Sequence, residues 1–151
     1  MFARIVACVD ASPTGLRALE AGIEMAARFG CALTLLTVLP EGASDVGADL
    51  ESLVPSHEGG RPLRQSITEA VEDAKRRGAA EADGVYLRGK PVDEILQYLG
   101  RTPVDLVVVG TRGLSRGSRL LLGSVSSRLV AEAPCPVLVV RAVTPVRRSA
   151  R

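Results

Sequence analysis

Aromatic side chains are almost missing: two Phe, two Tyr and no Trp make up 3% of the 151 residues. Proteins that hold single-stranded nucleic acid stack its bases on such rings, so the scarcity speaks against that function. Histidine occurs once, as His57. It stands among Ser56, Glu58 and Gly59, and a lone loop imidazole without a fixed partner is surface decoration rather than a base. Cys8, Cys31 and Cys135 are an odd number without CxxC spacing, which suggests neither a disulfide framework nor a zinc site. No apolar run approaches the length of a membrane span, and no charged leader with a long apolar stretch precedes the first strand-like segment. A reducing cytoplasm is the expected setting.

Charge of one sign is lacking as well. The net charge is +2, and Arg147, Arg148 and Arg151 at the very end supply all of the excess. The body offers nucleic acid no broad basic face. What is present is a 46% apolar fraction, ordinary for a globular protein, in a chain long enough for one good core.

The apolar residues come in two alternating patterns. Arg4–Val9, Ala32–Leu39, Gly84–Arg88, Val104–Val109 and Pro136–Arg141 are short continuous runs, the mark of buried parallel strands. Between them lie helical spacings: Leu16, Leu19, Ile23, Ala26 and Ala27 after the Ser12-Pro13 start signal, with Gly30 as the stop. A second helix spans Leu63–Arg77 and closes at Gly78. A third opens at Pro91, and a last one runs from Ser124 to about Glu132. Residues 41 to about 62 are rich in Gly, Ser, Pro and acids and read as a loop. Strands alternating with helices imply right-handed crossovers and a parallel sheet covered on both faces, hence one α/β doubly wound domain.

In such sheets ligands bind beyond the carboxyl ends of the strands. Two loops there have unusual composition. One is Asp10-Ala11-Ser12-Pro13-Thr14-Gly15. The other runs from Gly110 to Ser124 and carries Gly113, Gly117 and Gly123 with Arg112, Arg116 and Arg119. Gly110 and Gly113 allow a nest of backbone N–H groups, Gly123-Ser124 opens a helix whose free N–H groups favour phosphate, and the arginines can neutralise a polyphosphate. An ordinary flexible connection ending in a Ser-capped helix reads equally well from composition alone. Gly84-x4-Gly89-Lys90 is a chance near-match to a P-loop, because Pro91 stands where Ser or Thr must bind magnesium. The GxGxxG dinucleotide fingerprint is missing.

The spacing Gly110-x2-Gly113-x9-Gly123-Ser124 resembles the ATP-binding signature of universal stress proteins. Arg4–Ser12, Gly89-x-Pro91 with the Ile95–Leu99 helix, Asp105–Gly113 and Gly123–Arg141 resemble the family too, so the likeness covers most of residues 3–142. It implies an adenine-nucleotide alpha-hydrolase-like sheet of five mainly parallel strands in the order 3-2-1-4-5, a domain over residues 1–143, and a basic tail at 144–151.

The resemblance also implies roles. Asp10 would contact the adenosine part of the nucleotide, though it could instead cap the following helix. Val38 would meet adenine through its backbone. Gly110, Arg112, Gly113, Gly123 and Ser124 would surround ribose and phosphates, with Val125 beside them. Magnesium would ride on the ATP phosphates rather than in a protein cage. The final strand, Val137–Arg141, would pair with its twofold mate in a homodimer. With no Walker lysine and no evident water-activating base, ATP hydrolysis is expected to be slow at most. The competing expectation is a stress protein that has lost nucleotide and works through its dimer surface. An adenylating enzyme would need an SGGxDS-like loop, and a receiver domain a lysine near the fifth strand; neither is present.

Overall fold

The computed structural model describes residues 2–10, 12–39, 41, 67–111 and 122–141. Nine elements alternate along it: β1 (Arg4–Cys8), α1 (Pro13–Phe29), β2 (Ala32–Leu39), α2 (Ile67–Arg76), β3 (Ala82–Arg88), α3 (Pro91–Arg101), β4 (Leu106–Gly110), α4 (Ser124–Glu132) and β5 (Val137–Val140). Local chemistry sets several of these boundaries. The Ser12 hydroxyl accepts from Gly15 N ahead of Pro13, and Gly30 ends α1 in the left-handed conformation at φ 63°, where a side chain would be strained. The expected loop after residue 41, the start of the second helix at 63–66 and the tail at 144–151 lie outside the described residues.

All strand pairs are parallel, in the order β3-β2-β1-β4-β5, as the resemblance implied. Alternation along each strand divides the core in two. Ile5, Ala7, Val9, Leu33, Leu35 and Val108 face α1 and α2, packing with Leu19, Ile23, Ala26, Ala70 and Ala74. Val6, Cys8, Leu36, Val107 and Val109 face α3 and α4, packing with Ile95, Leu99 and Leu129. Right-handed crossovers require this segregation: the chain moves outward from β1 to β3 over one face and returns to β4 over the other. Each fully buried Leu or Ile contributes about 1.5–3 kcal/mol, so both faces are strongly held.

Two strand starts differ from the sequence expectation. β3 begins at Ala82, two residues early, because Ala82, Asp83 and Gly84 are drawn into register with Leu33, Thr34 and Leu35 of β2. Pairing there overrides weak strand propensity. β4 begins only at Leu106. Asp105, which looked like part of the strand, meets β1 with its side chain as well as its backbone: Oδ2 accepts from Ala3 N at 2.7 Å and Arg4 N at 2.9 Å, and its N donates to Arg4 O at 3.0 Å.

These bonds, first that from Arg4 and then that from Ala3, hold the exposed Asp105 carboxyl below its ordinary value of 3.8. A depressed carboxyl contributes stability above its unfolded-state value and loses it as pH falls through the folded-state value. Asp105→Ala is therefore expected to lower the urea midpoint at neutral pH, with the gap from wild type closing toward strongly acidic pH. A gap of constant size would mean that the ionised carboxylate is not what secures the start of β1.

Candidate functional site

β1 has β2 on one side and β4 on the other. The chain leaves β1 in one direction and reaches β4 from the other, so the strand order reverses between these two strands and a crevice opens beyond their carboxyl ends. Every helix that follows a strand begins at this same edge of the sheet.

The β1 side is built around Asp10. Its Oδ1 accepts from Ser12 N at 3.0 Å and from the Ser12 hydroxyl. Ser12 in turn accepts from Gly15 N at 3.0 Å. The cap of α1 is thus Ser12, and the alternative reading of Asp10 as the cap is corrected: Asp10 orients the capping residue. Its Oδ2 makes no hydrogen bond to the described residues. Gly15 makes this geometry possible. A Cβ there would lie 2.0 Å from Asp10 Oδ1 and 2.6 Å from Asp10 O, far inside any real contact.

The β4 side meets the same turn of α1. A Cβ on Gly110 would lie 2.6 Å from both the carbonyl carbon and Oγ1 of Thr14, so the strand end and the helix start touch through bare backbone. One residue on, Thr111 N donates to Val140 O at 2.9 Å, and Thr111 O accepts from Gly123 N at 2.6 Å. The buried Ser126 hydroxyl lies 3.1 Å from both Thr111 O and Gly123 O. Here the structure corrects the Ser-capped helix: the cap is Gly123, with no side-chain cap bond. Ser124 sits at the first helical position with its side chain exposed.

Val38, near the end of β2, and Val125, in the first turn of α4, are half-buried against the α3/α4 half of the core. Among the sequence candidates, then, Asp10, Gly110, Gly123 and Ser124 stand at the strand ends and the helix start that frame the crevice. Val38 and Val125 belong to the core cluster on one of its walls. Arg112 and Gly113, with Arg116 and Arg119, lie outside the described residues. Sequence reasoning gave no role to Gly15, Thr14, Thr111 or Ser126. Only Gly15 carried a signal, since glycine in the first turn of a helix costs about 1 kcal/mol relative to alanine and needs a packing reason.

The electrostatics single out the same place. α2 has Glu69 in its first turn, and α3 has Asp93 and Glu94; α1 and α4 have no acid there. The two helices that begin beside the strand reversal therefore have no acid of their own in the first turn, and the carboxylate that stands ahead of α1 is that of Asp10. Cys8 ends β1 nearby, but burial, then Asp10, then Cys135, push its thiol up to about 12, which keeps it protonated and inert. Burial also raises Cys31 and Cys135. Among the described residues no group of three or more His, Cys, Asp or Glu could hold a metal ion.

The sequence model of the Universal stress protein family matches residues 1–141. Universal stress protein YxiE of Bacillus subtilis is 32% identical over 149 residues, covering 93% of this chain and all of that protein. Among solved structures, the universal stress protein UspA from Lactobacillus plantarum matches with a TM-score of 0.66 and 27% identity, over 92% of this chain and 97% of its own. A universal stress protein in complex with cAMP matches with a TM-score of 0.68 and 27% identity, over 93% of this chain and 97% of its own.

Proposed function

The chain belongs to the universal stress protein family, and from that footing we propose that it binds an adenine nucleotide, ATP foremost, in the crevice between β1 and β4. One observation carries the reading. Two helix N-termini without first-turn acids meet there beside glycines whose bare backbone admits close approach, an arrangement suited to anionic phosphate. The similar structure that carries cAMP supports an adenine nucleotide as occupant.

Each residue has a task in this reading. Asp10 offers Oδ2 to the ribose hydroxyls while Oδ1 stays with Ser12. The backbone of Val38 and the side chain of Val125 flank the base. Gly110, Gly123 and Ser124, with Arg112 and Gly113, receive the phosphates; the Ser124 hydroxyl, which caps nothing, is a donor for a phosphate oxygen. Magnesium fits as an ion borne by ATP, since the carboxylate that the described residues bring to the crevice is that of Asp10, whose first oxygen is committed to Ser12. Hydrolysis would be slow at most. Lys75 lies within α2 and Lys90 before α3, so neither stands in for a phosphate-loop lysine, and Asp10 is no free base.

The outer edge of β5 pairs with nothing among the described residues, and Leu138 on that strand is 37% exposed. We assign the homodimer interface to this edge through Val137–Arg141. No helix among the described residues is long and apolar enough to cross a membrane, and a cytoplasmic regulator of the stress response, switched by nucleotide occupancy, fits these properties.

Calorimetric titration with Mg-ATP, AMP and cyclic AMP tests the reading, using protein freed of co-purified nucleotide and a Gly123→Val variant shown to be folded. Binding by wild type that is lost in the variant is the expected result. Wild type that binds none of the three removes the proposal and leaves a protein working through its β5 surface.

A further inference from the structure

We infer that Ser126 is a positioning residue for the phosphate end of the site. It acts not on the ligand but on the backbone that meets it. This rests on the nucleotide reading above and adds a residue to it. Ser126 is 1% exposed and is the third residue of α4, within its first turn. Its hydroxyl has one proton, shared between Thr111 O and Gly123 O at 3.1 Å each. Thr111 O also takes Gly123 N at 2.6 Å. The chain thus departs beyond β4 at Thr111 and returns to α4 at Gly123 with both ends fastened to one carbonyl, and a buried side chain completes the fastening.

The consequence is geometric. Gly110 is fixed against Thr14 of α1, and Thr111 is fixed to Val140 of β5. The separation between the Gly110 backbone and the free N–H groups after Gly123 is then set by the Thr111–Gly123–Ser126 knot. These are the two backbone stretches that must meet one polyphosphate together, and small misplacement of one weakens the pair. Both carbonyls also accept a backbone N–H, Thr111 O from Gly123 N and Gly123 O from Ser127 N, so the buried hydroxyl adds a tie between the two segments that the backbone alone does not supply. Ligand parts that do not touch the phosphate donors, the base and ribose, should not sense the change.

That difference is the test. ATP and adenosine affinities are measured for wild type, Ser126→Ala and Ser126→Thr by displacement of a fluorescent adenine nucleotide, with circular dichroism to confirm folding. Ser126→Ala is expected to weaken ATP about tenfold, the scale of one buried hydrogen bond, and to leave adenosine within about twofold. Ser126→Thr, which keeps the hydroxyl, is expected to restore ATP. If the Ala variant does not fold, Ser126→Cys, nearly isosteric with a weak S–H donor, serves the same comparison. Equal losses for ATP and adenosine, no loss for either, or a Thr variant no better than Ala would each overturn the positioning role while leaving the nucleotide site standing. Wild type that binds neither ligand would remove both.

Discussion

Gly15→Ala is expected to destabilise the protein and to weaken ATP binding, against the direction that helix chemistry alone dictates. Alanine in place of glycine within a helix is ordinarily worth about 1 kcal/mol in favour of the variant. At this position the new methyl would be placed 2.0 Å from Asp10 Oδ1 and 2.9 Å from Asp10 N. Neither is the far end of a flexible chain free to swing away, because Oδ1 is held by Ser12 and the other atom is backbone. The first turn of α1 must therefore lift from the end of β1. Overpacking of this kind costs about 1–3 kcal/mol, which against that gain leaves a net loss of up to about 2 kcal/mol and a melting temperature lower by up to about 4–8 °C in a domain this size. The same shift displaces the Asp10 carboxylate, so ATP affinity is expected to fall at least about tenfold. Thermal melts with and without Mg-ATP check both. A variant more stable than wild type would show that Gly15 and Asp10 do not approach as described.

Leu129→Ala should have the second large effect, through the helix that carries Gly123 and Ser124 at its start. α4 spans nine residues and buries only Ser126 and Leu129, and an isolated helix of that length does not hold itself in water. Leu129 is fully buried and is its single large anchor. Truncation is expected to cost about 2–5 kcal/mol and to lower the melting temperature by about 10 °C. Ile23→Ala makes a matched control. Ile23 is as deeply buried, but α1 rests on seven buried residues over 17, so the loss of one leaves its N-terminus in place. Similar stability losses are expected from the two variants, with ATP affinity impaired markedly only in Leu129→Ala. Comparable affinities in both would mean that the anchoring of α4 has no bearing on the site.

What could be read from the sequence was the part written in neighbouring residues. Ser12-Pro13 and Gly30 announced the ends of α1, and the continuous apolar runs announced five strands, because caps and strand propensity depend on local chemistry. The expected burial holds for β1, β2 and β4, while β3 and β5, at the sheet edges, are only partly buried. The strand order came from family likeness, since nothing in a run such as Ala32–Leu39 says which neighbour it pairs with. The edges failed where a side chain did the unexpected. Val104-Asp105 reads as strand, yet Asp105 accepts backbone N–H groups from a segment about a hundred residues away. In the site, the glycines of the signature were legible as permissive backbone, but the contact of Gly110 with Thr14 joins distant stretches of chain. Ser126 gave no sign at all. A small hydroxyl in a helix looks like solvent-facing filler until the fold brings the carbonyl of Thr111 over it.

The uneven distribution of acids over the four helix starts bears on how a ligand arrives as well as on how it is held. The outer pair of helices carry carboxylates within their first turns and the inner pair do not, so an approaching anion meets less repulsion at the inner starts, where Asp10 stands ahead of α1, than at the outer ones. Such a pattern focuses field lines, drawing a diffusing anion toward the middle and turning it away from the flanks. Capture would then be fast in dilute buffer and slower as added salt shortens the reach of the field to a few ångströms, while the rate of escape, governed by contacts inside the crevice, would hardly change.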